Sequence, residues 1–451
     1  MLSLKKNDFL IFFAMTAFFL AQIVTGQLRL VCTGVMLLAV FICVIRRVEN
    51  IWMVIFLMLV LQKAFQRIST GMVYQIITYA DEVVELIFAV YLVVVVVKQG
   101  ITISSREKGI MLCYFLYLVF SVASTIANDY VTSFVALLDC FVCAKFMIFY
   151  RGGLELSKKN IFDGKKMYMY LNVPCKMLAV FLVILSIHDL FFTAFFEKFD
   201  YRFFTYSLQL CLQHPTYLAT LCLTCVVVLI YNMKYDKGNF KYIVMHTFVI
   251  IMTFRTKALA AIFIIIVIYF VYVKYKMPFK KIMLAGMGCV AIYVGLGSFE
   301  KYFTVGATVP IRLKMTNDGI SIAQSHFPLG AGFGTFGTTV AYENGSMFYY
   351  QLGYMSGYYY NQPVADVFWP GIFAEAGWIG TIFFALCVVL MLFDSFDRIK
   401  TDSYAGWCML SIMVNAIISS TSETAFFNPA TAIMFIIYGI AADRSEKSEL
   451  I

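Results

Sequence analysis

Arg202, Arg255, Lys257, Arg312 and Lys314 are the residues of this chain best suited to chemistry. A guanidinium is a planar fork that bonds two phosphate oxygens at once, so arginines held where few other basic residues occur fit an anionic ligand. Near them in the sequence stand groups that exchange protons: His214, His326, Glu343, Asp366 and Glu375. A carboxylate or imidazole beside arginines takes a proton from an attacking hydroxyl. Each has a plainer reading as a helix cap or ion-pair partner, and the cations one as anchors to lipid head groups.

Two further patterns accompany them. Gly332-Phe-Gly-Thr-Phe-Gly337 fits the spacing GxGxxG, but no strand precedes it and no helix pattern follows, so a dinucleotide site is excluded. What survives is either a close backbone approach to a ligand, through Gly332 and Gly334, or a tight turn at a membrane surface. Tyr342, Tyr349, Tyr350, Tyr354, Tyr358, Tyr359 and Tyr360, with Phe368 and Trp369, then give an aromatic stretch. It suits a sugar-binding cleft, and it equally suits an interfacial belt.

The elements that carry these residues are apolar. Of 451 residues, 62% are hydrophobic and 14% charged, against about 25% charged in soluble proteins. Apolar blocks of membrane-crossing length recur along the chain. Candidate spans are Phe9–Ile23, Leu30–Ile45, Ile51–Leu61, Val73–Val97, Ile110–Ile126, Val131–Tyr150, Met177–Phe192 and Tyr217–Tyr231. They continue with Tyr242–Phe254, Ala258–Val273, Ile282–Gly297, Trp378–Phe393, Gly406–Ser420 and Thr431–Ala441. The expectation is an all-α polytopic membrane protein of about 12–14 spans, one integral domain over residues 1–451. The run after Lys5 and Lys6 reads as the first span rather than a cleaved signal.

With the N-terminus in the cytoplasm, alternate loops become basic: Arg46-Arg47, Lys98 with Arg106 and Lys108, Arg151 through Lys166, Lys234 to Lys241, Lys274 to Lys281, Arg398 and Lys400. Lys145 and Lys176 are read as reaching towards that side. The positive-inside rule therefore puts both termini in the cytoplasm. It leaves two extracytoplasmic loops, 194–216 and the long 299–377, and these hold the residues introduced first. The net charge of +9 reflects this bias and implies no nucleic acid.

Asp81, Glu82 and Glu85 are charges inside the fourth span, where charge is costly; Lys63 or Arg67 are their expected partners. His188 and His246 read as packed polar residues. Most of the 12 cysteines lie in apolar blocks, and Cys222-Leu-Thr-Cys225 reads as packing rather than a metal site. No HExxH, external DxD, cysteine–histidine cluster or P-loop occurs.

In three places the sequence resembles the O-antigen polymerase and O-antigen ligase superfamily. Arg202 followed by Gln213-His-Pro-Thr-Tyr-Leu-Ala219 is similar to an arginine and an (Asn/His)-Pro-x-x-Leu-Ala segment opening a span. Thr253-Phe-Arg-Thr-Lys257 is similar to a Thr-x-Ser-Arg turn between helices. Arg312, Pro328-Leu-Gly-Ala-Gly-Phe-Gly334, Asp366-Val-Phe-Trp-Pro370 and Glu375-Ala-Gly-Trp-Ile-Gly380 resemble the long external loop. Ligases of the group typically carry histidine where this chain has Asp366, which favours the polymerases.

The resemblance implies a glycosyltransferase of the bacterial inner membrane, with neither metal nor other cofactor. Its donor and acceptor would be undecaprenyl-diphosphate-linked oligosaccharides, joined on the extracytoplasmic face. Membrane lipids, a chain-length regulator and a flippase would be its partners. Arg255 and Arg312 would act on the diphosphates and Asp366 as base or hydroxyl-orienting group. Arg202, His214, Lys257, His326, Gly332, Gly334 and Glu375 would bind substrate. The alternatives are a ligase moving finished glycan to another acceptor, and a flippase or other transporter of lipid-linked oligosaccharide.

Overall fold

The computed structural model describes residues 6–100, 102–192, 195–202, 205–275, 309–360, 364, 367–421 and 423–445. The expected span Ile282–Gly297, the lysines at 276, 280 and 281, and Asp366 lie outside these residues.

The protein is an all-α polytopic membrane protein. The first six helices are α1 (Lys6–Ile23), α2 (Gly26–Arg46), α3 (Ile51–Val60), α4 (Gln62–Ile68), α5 (Gly71–Thr78) and α6 (Ala80–Gln99). Then come α7 (Ser105–Asn128), α8 (Ser133–Lys158), α9 (Gly164–Phe191), α10 (Pro215–Asn232), α11 (Asn239–Met252) and α12 (Thr256–Ile268). The long loop carries α13 (Ile311–Ser325), α14 (Thr339–Glu343) and α15 (Met347–Gln351), and the chain ends with α16 (Phe368–Thr401), α17 (Ser403–Ser420) and α18 (Pro429–Ala442). Among the described residues, 8 helices are long and apolar enough to cross a bilayer, and the bent segment Val48–Val60 with Gln62–Ile68 makes a ninth candidate. Large apolar side chains such as Leu30, Leu37, Phe41, Val93 and Phe134 point outward, as a lipid solvent requires. Inside, α16 packs on α7, α18 on α8, and α10 is enclosed by α9, α11 and α17.

One expected span is broken: the fourth divides at Tyr79 into α5 and α6. At the end of the third, at Leu61, the chain bends by 74° into α4. Breaks at membrane depth leave carbonyls without helical partners, which is tolerated only where something else bonds them. Gln62 does so: its Nε2 donates to the carbonyls of Ile77 at 2.9 Å and Thr78 at 3.0 Å. Polar backbone thus gathers at one end of α4, α5 and α6.

The described part of the long loop folds onto the bundle with a small apolar core of its own, including Met315, Ile322, Phe336, Tyr349 and Tyr354. Its seat is a break in α16 at Gly377, where φ is 62°. That break releases the carbonyls of Ala374 and Glu375, which accept from the amides of Ala331 at 2.7 Å and Gly332 at 3.0 Å. A Cβ on Gly377 would stand 2.3 Å from the Leu329 carbonyl oxygen, so only glycine fits there. A two-residue antiparallel pair, β1 (Tyr201–Arg202) with β2 (Thr205–Tyr206), matches Arg202 to Thr205 before α10.

Candidate functional site: a two-sided cavity at one end of the bundle

Most of the singled-out cations converge. A cavity of about 1120 Å³ opens at the end of the bundle where α10 and α12 begin. Its lining includes Arg202, His214, Arg255, Lys257 and Arg312, brought from β1, the cap of α10, the α11–α12 turn and the first turn of α13.

Local structure explains how each is aimed. Pro215 at the first position of α10 fixes the helix start, and His214 caps it, its Nδ1 accepting the Thr216 amide at 3.2 Å. Burial, followed by the adjacent Arg255 guanidinium, lowers the His214 pKa to about 4. The neutral ring with Nδ1 as acceptor carries its proton on Nε2. In this state His214 is therefore a hydrogen-bond donor at Nε2, suited to an anionic oxygen and unsuited to taking a proton there. Phe199 lies edge-on to His214 at 4.8 Å and beneath the Arg255 guanidinium at 4.9 Å.

Arg202 donates to the Phe254 carbonyl at 3.3 Å and pairs with Asp200 at 3.2 Å, tying its loop to the turn that bears Arg255. Lys257 pairs with Glu423 at 2.5 Å. Leu210, Gln213 and Phe254 have φ of 49°, 64° and 49°, in the left-handed region. Side chains with a Cβ rarely adopt it, and such residues gather where surrounding structure overrides local preference. These flank His214 and Arg255.

The opposite side is acidic and was misassigned from sequence. Lys145 does not reach towards the basic end. It is 1% exposed, with Nζ 2.5 Å from Asp81, 3.6 Å from Glu82 and 3.8 Å from Glu85. Neither Lys63 nor Arg67 is in an ion pair with those acids among the described residues; Lys63 lies 5.5 Å over the Tyr217 ring, and Arg67 bonds the Leu210 carbonyl at 3.2 Å. The reason is reach: α6 and α8 pack side by side, so their charges meet inside the bundle. Lys63, Asp81, Glu82 and Lys145 line the cavity, as does Glu343.

The other sequence candidates sit elsewhere. Glu375 is buried, its Oε1 accepting the amides of Thr335 at 3.0 Å and Phe336 at 3.2 Å. Asp139 accepts the Gly334 amide at 2.9 Å. Gly332 is seated against Thr125 and Gly334 against Val135, with no room for a Cβ at Gly332, where Thr125 backbone would be 2.5 Å away. His326 bonds the Tyr130 hydroxyl at 2.8 Å and the Ile322 carbonyl at 2.9 Å. None of His326, Gly332, Gly334 and Glu375 lines the cavity. Lys314 pairs with Asp318 at 2.8 Å and lies 4.6 Å over Tyr354. Tyr349 and Tyr354 build the loop core, while Tyr350, Tyr358 and Tyr360 are exposed.

Among the described residues, Asp139, Cys143 and Glu375 have ligand atoms within 4.8 Å of one another, all buried. One oxygen of each carboxylate is already engaged by the glycine loop. The cavity's acidic side was missed because its charges lie on helices distant in sequence; the readable signal was Asp81, Glu82 and Glu85 on one helical face and Lys145 in the apolar middle of α8. No protein-family model and no curated protein matches the sequence.

Proposed function

We propose that the protein is a polysaccharide polymerase: a glycosyltransferase that joins undecaprenyl-diphosphate-linked repeat units on the extracytoplasmic face of a bacterial cell membrane. The observation that carries this reading is the meeting of Arg202, Arg255 and Arg312, from three separate segments, on one cavity. A lipid diphosphate leaves with developing negative charge, and preorganised cations lower the energy of that charge most in a site shielded from water. His214 adds a donor of the same sense.

The orientation is part of the proposal. Arg46, Arg106, Arg151, Lys158 and Arg398 gather at the bundle end opposite the cavity, which the positive-inside rule assigns to the cytoplasm. The arginines of the cavity then face outward, where lipid-linked units are assembled. Asp366 is assigned the role of orienting the acceptor hydroxyl, on the sequence resemblance alone. The arginines and the acidic residues Asp81 and Glu82 line the same cavity, whose volume of about 1120 Å³ slightly exceeds the roughly 300–1,000 Å³ of an ordinary ligand pocket.

Deletion of the protein, followed by sizing of lipid-linked surface glycan, tests the reading. Single repeat units accumulating on the carrier lipid support a polymerase. Finished polymer retained on the carrier points to a ligase, and units trapped on the cytoplasmic face point to a transporter; either result contradicts it.

A further inference from the structure

The cavity's acidic side has more carboxyl groups than its one buried lysine can match, and they are not equivalent. Asp81 accepts from Lys145 at 2.5 Å and from Gln62 Nε2 at 2.9 Å. Glu85 is fully buried, and neither of its oxygens has a hydrogen-bond donor among the described residues. Glu82 is the most open of the three: its side chain is 31% exposed and lines the cavity, although its Oε2 is itself buried and has no hydrogen-bond donor among the described residues. Thr78 and Tyr79 lie beside it, and Phe141 and Tyr217 add ring faces to the same lining. Carboxylate, hydroxyl and aromatic groups together are what a hydroxyl-rich sugar needs, and they stand apart from the arginines that suit phosphate.

We propose that this side is the acceptor-sugar subsite and that Glu82 is the catalytic residue that takes the proton of the attacking hydroxyl. The inference rests on the glycosyl-transfer reading above. The acceptor oxygen forms a bond to the donor's anomeric carbon while the bond from that carbon to the diphosphate oxygen breaks. The electron pair leaves on the lipid diphosphate, held by the arginines, and the hydroxyl proton passes to the Glu82 carboxylate. Negative charge thus moves from the acidic side to the cationic one. A proton arriving at Glu82 also relieves repulsion from the neighbouring Asp81 carboxylate. Lys145 and Asp81 are positioning residues: their ion pair fixes the start of α6, and Lys145 with Lys63 on α4 are the cations facing Glu82.

The test uses the full chain in lipid nanodiscs, with undecaprenyl diphosphate as binding probe and the host's own lipid-linked repeat unit for turnover. Glu82→Gln is expected to lower turnover by about 100-fold or more while binding undecaprenyl diphosphate as wild type does. Glu82→Asp, which keeps the carboxylate, is expected to regain part of the rate with a displaced pH–rate profile. Turnover of Glu82→Gln within about threefold of wild type, a smaller change than removal of a general base produces, overturns the proposal. So does a loss of binding that parallels the loss of rate, because that is a structural effect. Failure of wild type to bind the probe or form a glycosidic bond overturns the polymerase reading together with this one, whereas a fully active Glu82→Gln overturns this one alone.

Discussion

The glycine loop and the two-sided cavity adjoin at Thr338, and they reverse the weight their sequences would be given. The loop looks like a ligand-binding motif, yet its amides are consumed by Asp139, Glu375 and the carbonyls freed at Gly377. The cavity is assembled from several short segments, with Arg202 and Arg312 more than a hundred positions apart. A dense motif here marks where a loop must be seated closely, whereas scattered cations converge on a cavity.

That contrast is open to attack by substitution. The largest effect is expected at Gly377→Ala, where a Cβ would collide with the Leu329 carbonyl at a positive φ. Membrane levels and thermal stability should collapse. A stable protein with altered substrate affinity would instead make the glycine loop part of the site.

Next is Lys145→Met. It leaves Asp81 buried without its cation, and breaking a buried pair costs about 3–5 kcal/mol. Thermal melting in detergent should fall strongly, and Lys145→Met combined with Asp81→Asn should recover part of the loss. An unchanged melting temperature in the single variant would show that the acidic side is not held by this pair.

The smallest effect concerns His214. Its folded pKa of about 4 lies below the ordinary 6.5. The unfolded chain therefore takes up a proton between these values, and stability contributed by the neutral ring is lost as pH falls from 6.5 towards 4. His214→Asn keeps a capping side chain and should melt with a shallower pH dependence across that window. Parallel curves would mean that His214 is not buried beside Arg255.

Much of this was legible in the chain itself. Apolar block lengths and loop charges give the helical membrane fold, because the bilayer imposes length and the positive-inside bias imposes sign. Arg202, Arg255, Lys257 and Arg312 stood out as cations outside the strongly basic loops, and His214 as a proton-exchanging group near them in sequence; all five line one cavity. Lys145 was not, because its partners come from α6, 60 and more positions away, and a lone lysine near a span end reads equally well as reaching for the surface. The break at Tyr79 was hidden too, since Gln62 on α4 supplies the bonds that make it tolerable. Glu375 was singled out as a carboxylate able to take a proton and by the family resemblance; that its Oε1 accepts the Thr335 and Phe336 amides is visible only in the packing.

Direct binding of undecaprenyl diphosphate to the purified protein in nanodiscs, wild type beside Arg255→Ala and Arg312→Ala, tests the central claim. Each substitution is predicted to weaken binding by at least about tenfold, the loss of one charge-assisted hydrogen bond, with melting temperatures unchanged. Equal affinity in all three proteins would contradict the account.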